Sequence, residues 1–193
     1  MATLIWTGGE SATTKTFTTA ANWGGTAPSN DDTLIINSSS DTIGGAATGL
    51  TGITFRVGSG FTGTIGSSTT HLDLDGPLCE FASGGTAAYL TGTWTNFRIT
   101  GGSASPLFLN LKGNASTAIT TLLASRLSGT VTVGSSAAVT TVQMNGSNVG
   151  TIDLASSITG LANISVTEGT IACASTISGT ASVIGGTLQT SGT

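Results

Sequence analysis

GTVTV at residues 129–133 returns three times in the second half of the chain, as GTIDL at 150–154, GTIAC at 169–173 and GTLQT at 186–190. The glycines that open the four copies are 21, 19 and 17 residues apart. After each Gly-Thr pair apolar residues alternate with other side chains, and this two-residue period is that of a β-strand. A strand that recurs at a step near 20 residues predicts a solenoid, in which each repeat adds one turn.

A second series of apolar strands lies between these copies, with VQM at 142–144, ISV at 164–166 and SVI at 182–184. Two series that recur together indicate more than one strand per turn, joined at corners where glycine bends the chain without a Cβ penalty. The uneven steps fit this arrangement, because insertions fall in the corner loops.

The first half repeats the pattern less regularly. TFRVGSG at 54–60 and NFRITGG at 96–102 begin 42 residues apart, and LDLDG at 72–76 falls between them. We predict an all-β chain in which residues 49–193 form a right-handed parallel β-helix (solenoid) of about 6–7 rungs. An antiparallel β-sandwich is the alternative, because it also has many short strands. TAITTLLASRL at 117–127 is the one helical candidate, and its threonines weaken it.

The composition supports an ordered, strand-rich chain. Thr (38), Gly (29) and Ser (24) make up nearly half of the 193 residues, and only 7% of the residues are charged. Disorder usually needs low hydrophobicity and high net charge, whereas here 38% of the residues are hydrophobic and the net charge is −4. The threonines also alternate with Val, Ile and Leu, as strands require.

The charged residues argue against two kinds of partner. The five basic residues, Lys15, Arg56, Arg98, Lys112 and Arg126, are scattered along the sequence, whereas a nucleic-acid surface needs them clustered. No apolar run approaches the roughly 20 residues of a membrane span. The opening MATLIWTGGE also lacks the basic and apolar regions of a secretory signal. We therefore expect a protein made in the cytoplasm that binds neither nucleic acid nor membrane.

Residues 1–48 differ from the repeats and are predicted to cap the β-helix or dock it on a partner. A solenoid needs a cap, because its terminal rung exposes strand edges and an apolar core. The residues expected to form this cap or partner surface are Trp6, Trp23, Pro28, Asp32 and Ile35.

These five residues have different predicted tasks. Trp6 and Trp23 are large enough to cover a thin core. Pro28 fixes a bend, and Asp32 belongs to a turn ahead of the strand that contains Ile35. We interpret Trp23 as a lid on the first rung, with a ligand-binding ring as the alternative.

This opening resembles that of exported and virion β-helix proteins. WTGG at 6–9 is followed by ANWGGTAPSNDDTLII at 21–36, so a Trp-x-Gly-Gly precedes an Asn-Trp, a Gly-rich stretch, a Pro and an Asp ahead of the first strand. It looks like the opening of autotransporter-type passengers, bacterial surface repeat proteins and phage structural proteins, over about residues 3–36. The resemblance implies a right-handed β-helix used as a rigid display or attachment element. The lack of a signal peptide favours the phage virion proteins.

Residues suited to chemistry are few. His71 is the only histidine, so no Ser-His-Asp or Cys-His set can be built without it. Cys79 and Cys173 are interpreted as buried free thiols, with a disulfide as the alternative. Asp73 and Asp75 share one face of a predicted strand, where they could bind Ca²⁺ or serve glycoside hydrolysis, but a solvated face is the favoured interpretation. We expect no enzyme activity, no cofactor and no metal.

We therefore expect a structural protein of a bacteriophage virion, assembled in the host cytoplasm: a capsid decoration (cement) protein that stabilises the shell. Its partner would be the major capsid protein or another virion protein, and a homotrimer would match a local three-fold point of the shell. The pattern stops at GTLQTSGT without a cap, so we expect a subunit or further chain to cover that edge. The alternatives are a receptor-binding tail fibre, spike or surface adhesin fragment, and a carbohydrate-active β-helix enzyme.

Overall fold

The computed structural model shows an all-β chain, 55% strand and 3% helical, whose parallel sheets stack as a β-solenoid of about six turns. The predicted parallel β-helix is thereby confirmed. All strand pairings that the structure describes are parallel, so the antiparallel sandwich is excluded. The structure describes the backbone of residues 1–44, 47–82, 87–100, 107–109, 118–133, 138–147, 150–154 and 158–191.

The largest sheet, sheet A, extends along the whole solenoid. In spatial order its described strands are β1 (Thr3–Ile5), β3 (Thr33–Ser39), β6 (Thr54–Phe61), β9 (Gly76–Phe81), β12 (Thr93–Ile99), β14 (Ala118–Ala124), β16 (Ala138–Met144), β18 (Asn163–Val166) and β20 (Thr180–Val183). Each strand pairs with the strand one turn earlier and one turn later, about 4.8 Å away. Every turn of the chain therefore adds one strand to this sheet.

The Gly-Thr repeats form sheet D. Its described strands are β13 (Leu107–Leu109), β15 (Thr130–Val133), β17 (Thr151–Leu154), β19 (Thr170–Cys173) and β21 (Thr187–Thr190). The four threonines that follow the repeat glycines pair with one another in register from β15 to β21. The repeat read from the sequence is therefore the repeat of the fold.

Two smaller sheets complete the turns of the first half. Sheet B contains β2 (Thr14–Thr16), β4 (Thr42–Gly44), β7 (Thr64–Ile65) and β10 (Ala87–Ala88). Sheet C contains β5 (Ala47–Leu50), β8 (Leu72–Leu74) and β11 (Leu90–Thr91). A turn of the first half therefore has three described strands where a turn of the second half has two, which explains why the first half repeats less regularly.

Inward-facing side chains from sheet A form one wall of the core. One column of this wall lies in register through seven strands and consists of Leu34, Phe55, Cys79, Phe97, Leu122, Val142 and Ile164. Each of these residues is at most 1% exposed. Each buried aliphatic or aromatic side chain contributes roughly 1.5–3 kcal/mol of transfer free energy. The strand period thus stacks apolar side chains of successive turns on one another and gives a continuous apolar core.

Two strand assignments made from the sequence change. LDLDG belongs to sheet C, and the rung between TFRV and NFRI is β9, whose Cys79 pairs with both Phe55 and Phe97. The series ISV and SVI would place Ser182 beside Ile164 in the last rung. Instead Ala181, one residue earlier, pairs with Ile164. A shift of one residue moves a side chain to the other face, so a local pattern in a Ser/Ala-rich strand is too weak to fix the register.

The helical candidate at 117–127 is also wrong, because residues 118–124 form strand β14. Its backbone pairs with β12 on one side and β16 on the other. Neighbouring strands on both sides override a weak helical propensity. The helix that the structure describes is a single 3₁₀ turn at Ala20–Trp23.

Strand pairing begins within the segment predicted as a cap or docking unit. Strands β1 to β4 of residues 1–48 belong to sheets A and B, which continue beyond residue 48. The domain boundary at that residue stays a prediction.

Candidate functional site: the N-terminal cap

Three aromatic rings close the core beneath the first turn. The rings of Trp6 and Trp23 meet edge to face with centroids 5.0 Å apart, and Phe17 lies 5.2 Å from Trp23. Phe17 also contacts Phe55, which belongs to the inner column of sheet A, at 5.9 Å. The Trp23 indole N–H donates to the carbonyl of Phe17 at 2.5 Å. Edge-to-face pairs contribute about 0.5–1.5 kcal/mol beyond the buried area, so this cluster stabilises the end of the core.

Asn22 ties three segments of the cap together and is fully buried. Its side-chain oxygen accepts from the backbone N–H of Glu10 at 2.8 Å. Its amide donates to the Glu10 carboxylate at 3.0 Å and to the carbonyl of Thr16 at 2.8 Å. The backbone carbonyl of Asn22 accepts from the N–H of Thr7 at 2.7 Å. A buried amide with all these partners fixes the loops around the aromatic rings.

Lys15 occupies the inner column of sheet B, one strand before Ile43. Its side chain is 13% exposed, and its ammonium donates to the carbonyl of Glu10 and lies 3.7 Å from the Asp41 carboxylate. Asp41 also accepts from the indole N–H of Trp6 at 2.9 Å. A nearly buried charge needs such partners, and it ends the apolar column at this edge of the solenoid.

Asp32 joins the first strand to the turn that precedes β3. The buried carboxylate, 2% exposed, accepts from the backbone N–H of Ala2 at 2.5 Å and from the N–H and hydroxyl of Ser29 at 3.0 and 2.9 Å. Burial by itself raises the pKa of Asp32, but these hydrogen bonds outweigh it and hold the pKa below its ordinary value. The carboxylate is therefore a structural anchor in its charged form.

Asp41 and Glu10, two more carboxylates of the cap, have lowered pKa values for related reasons. Burial acts against the charged form of Asp41, but hydrogen bonds from Ser39 and Trp6 and the charge of Lys15 bring its pKa below the ordinary value. The backbone N–H of Thr16, followed by the Asn22 amide, lowers the pKa of Glu10. Asp32, Asp41 and Glu10 thus bind their neighbours as carboxylates.

The five residues predicted for the cap or partner surface fall into two groups. Trp6, Trp23 and Asp32 are buried inside the cap. Pro28 and Ile35 are half-buried, and Ile35 lies on the outer face of β3. A partner that contacts this end of the molecule therefore meets outer residues, while the rings pack against the chain itself. The role of these five residues in binding a partner stays a prediction.

Sequence reasoning gave no separate role to Asn22, Lys15, Asp41 or Glu10. Asn22 had a local signal, since it precedes Trp23 in the opening pattern. Lys15 and Asp41 are 26 positions apart, and only the stacking of β2 on β4 brings them together. Pairs of that kind have no signature in the sequence.

The two aspartates considered for metal binding or hydrolysis, Asp73 and Asp75, lie on a strand of the solenoid and at its end. Leu72 and Leu74 are buried, as the alternation predicts, and Asp73 and Asp75 between and after them are half-buried. Asp75 accepts a hydrogen bond from the backbone N–H of Thr93 on the next turn. Its carboxylate therefore links two turns of the solenoid at the surface.

His71 and the two cysteines are likewise packed in the fold. The His71 ring is half-buried, 6.0 Å from that of Tyr89. Cys79 and Cys173 are buried free thiols, as predicted. Burial, with a smaller effect of Glu80, raises the pKa of Cys79 well above its ordinary value, so its thiol is held in the unreactive neutral form.

The fold and the cap define the chain as a parallel β-solenoid closed at one end by aromatic rings and buried polar groups. Within the described part of the chain, no group of three or more His, Cys, Asp or Glu side chains is placed to hold a metal ion. No helix described by the structure is long and apolar enough to cross a membrane. Comparisons with protein-family models, curated proteins and solved structures found no match to this chain.

Proposed function

We propose that this chain is a non-enzymatic structural protein of a bacteriophage virion, a capsid decoration (cement) protein that stabilises the shell. The observation that carries the proposal is the place that the residues of the opening pattern take in the fold. Trp6, Asn22, Trp23 and Asp32, which carry the resemblance to virion and surface β-helix proteins, all pack inside the N-terminal cap. The resemblance therefore rests on residues that build a rigid solenoid.

The polar groups of the described residues support a structural role. The carboxylates of Glu10, Asp32 and Asp41 accept from backbone and side-chain donors. Asp75 accepts from the backbone of the next turn. Outward positions on sheets A and D are mainly Thr, Ser, Asn and Gln in the second half. A solenoid whose second half has a mainly uncharged polar surface suits a protein that spans subunits of a lattice.

The proposed mechanism is mass action. A protein that binds the assembled shell, and not the free shell subunits, stabilises the shell by RT ln(1 + [L]/Kd). The partner is the major capsid protein or another virion protein, and a homotrimer suits a position where three shell subunits meet. The virion is the site of action, reached by assembly in the host cytoplasm.

Labelling of intact particles tests this proposal. Antibodies against the purified chain are applied to virions of the phage or induced prophage whose genome encodes it, and the gold label is located by electron microscopy. Label distributed over the shell is the expected result. Unlabelled virions that also lack the chain by mass spectrometry would refute a virion role.

An exposed strand edge favours a second candidate function, a receptor-binding tail fibre, spike or surface adhesin. In β20 the inward position Val183 is 47% exposed and the adjacent Ile184 is 78% exposed, whereas Val166, one turn earlier, is buried. An exposed strand edge is a template for pairing with a strand of another chain, which suits a fibre or surface protein built from stacked subunits. Label confined to the tail, or to a bacterial surface, would support this candidate over the decoration protein.

A further inference from the structure

Outward-facing residues on sheet A set apolar and charged side chains side by side. Ile5 pairs with Ile35, and Ile35 pairs with Arg56 on the next turn. Glu80 then lies between Arg56 and Arg98. Adjacent strands are about 4.8 Å apart, so these five positions span roughly 19 Å. Ile5 and the Arg56 side chain are each about half exposed, at 51% and 50%.

A groove of about 270 Å³ runs beside this column. Its lining includes Ile35, Asn37, Arg56, Glu80 and Thr100. Gly58 also lines it, and a Cβ at that position would lie 2.9 Å from the carbonyl oxygen of Asn37. The close approach of the two backbones requires glycine here, so the groove keeps a floor without a side chain.

A third arginine lies at one end of the groove. Arg126 donates from Nη2 to the carbonyl of Thr100 at 3.3 Å. We call the surface formed by Ile5, Ile35, Arg56, Arg98 and Arg126 the arginine face.

The arginine face is positively charged on an acidic protein. It gathers three of the five basic residues of the chain beside a single acid, Glu80, while the rest of the chain has two basic and eight acidic residues. The sequence shows these arginines as scattered, and only the strand register brings them together. Lys112, another of the basic residues, lies outside the described part of the chain. Glu80 is 3.3 Å from the Nε of Arg56, so Arg98 and Arg126 supply the excess positive charge.

The positive charge of the arginine face limits which partners can bind it. Arginine is enriched at protein interfaces, and guanidinium groups bind carboxylates through paired hydrogen bonds. A second copy of the chain docked symmetrically through the same face would bring arginines against arginines, which is repulsive. A segment with acidic side chains beside an apolar one matches both the arginines and the exposed isoleucine Ile5.

We propose that the arginine face binds an acidic, partly apolar peptide segment of the partner protein. Carboxylates of that segment pair with Arg56 in the groove and with Arg98 and Arg126 beside it, and an apolar side chain packs on Ile5 and Ile35. This inference rests on the proposed function, because it supplies the contact by which the solenoid docks on its shell partner.

A peptide titration tests the inference with the whole chain. The probe is an eight-residue peptide of alternating Glu and Leu, and the control is the same peptide with Lys for Glu. Arginine Nε–Hε resonances are followed by NMR at low and high salt. We expect the acidic peptide to shift the resonances of Arg56 and Arg98, with weaker binding at high salt. The basic peptide should leave them in place.

Two variants distinguish an effect of the arginine face on peptide binding from an effect of the net charge of the chain. Arg98→Glu changes the net charge by two units, as does the double variant Thr130→Glu/Thr187→Glu on sheet D, where both threonines are exposed. Arg98→Glu should weaken peptide binding at least tenfold, and the double variant should bind like the parent chain. Equal binding of both peptides, or equal loss in both variants, would overturn the inference, as would self-association that Arg98→Glu abolishes.

The same variants distinguish failure of this inference from failure of the proposed function. If purified shells bind the parent chain and Arg98→Glu equally well, the decoration role stands and the arginine face is not the docking surface. If the peptide binds as expected but virions lack the chain, the docking chemistry stands and the capsid role is refuted.

Discussion

Replacement of Asn22 is the most direct perturbation of the cap, because its side chain joins segments that no strand pairing connects. Asn22→Ala removes one acceptor and one amide donor group from a fully buried position. The backbone N–H of Glu10, the Glu10 carboxylate and the carbonyl of Thr16 each lose a partner.

The expected loss of stability follows from these three groups. A buried polar group left without a partner costs about 1–3 kcal/mol. Glu10 and Thr16 are partly or largely exposed, so water replaces some of the lost bonds, and we expect Asn22→Ala to lower the free energy of unfolding by about 2–4 kcal/mol. Asn22→Asp has the same shape but sets a carboxylate against that of Glu10, where the amide now lies 3.0 Å away. We expect it to be less stable than Asn22→Ala at pH 7 and to recover as the pH falls and one carboxyl is protonated.

Urea unfolding followed by tryptophan fluorescence measures this effect, since Trp6 and Trp23 belong to the same cap. Asn163→Ala is the matched control, because Asn163 is an exposed outward residue of β18. The control should change the free energy of unfolding by less than about 0.5 kcal/mol. The reasoning is refuted if Asn22→Ala behaves like the control, or if Asn22→Asp is the more stable of the two variants at pH 7.

Three further predictions concern the cap and the core. Trp23→Ala should lower the free energy of unfolding by about 3–5 kcal/mol and Trp23→Phe by clearly less, measured by thermal unfolding; unchanged stability in both would exclude the lid role. The lowered pKa values of Asp32 and Asp41 mean that their contribution is fully present above the ordinary carboxyl pKa near 4 and is lost as the pH falls through their lower folded values. Asp32→Asn should therefore be less stable at pH 7 and show a weaker loss below pH 4, and an acid limb identical to that of the parent chain would contradict this. Cys79 should react with iodoacetamide only as fast as the chain unfolds, because burial raises the pKa of its thiol; rapid modification of the folded chain would show that the core is open there.

The parallel solenoid was predictable because its signal is repeated. Each Gly-Thr copy specifies only a short strand, but four copies in phase define a stack, and the structure pairs the threonines of all four. Prediction failed where that redundancy was missing. Residues 117–127 were the one helical candidate, weakened by their threonines. The neighbouring strands β12 and β16 make residues 118–124 a strand. The slip at Ala181 has the same cause, because small residues mark neither face of the strand strongly.

Local patterns and strand register carry different information about this molecule. The opening pattern is readable because Trp6, Asn22, Trp23 and Asp32 are close in sequence and all pack inside the cap, so it specifies how the solenoid begins. The arginine face arises only when the solenoid is wound, since Arg56 and Arg98 are 42 positions apart and meet on either side of Glu80. Outward residues are free of the packing constraints of the core. Residues from several turns can therefore form a binding surface without disturbing the core. The function of such a solenoid has to be sought along its columns, where residues one turn apart become neighbours about 4.8 Å apart.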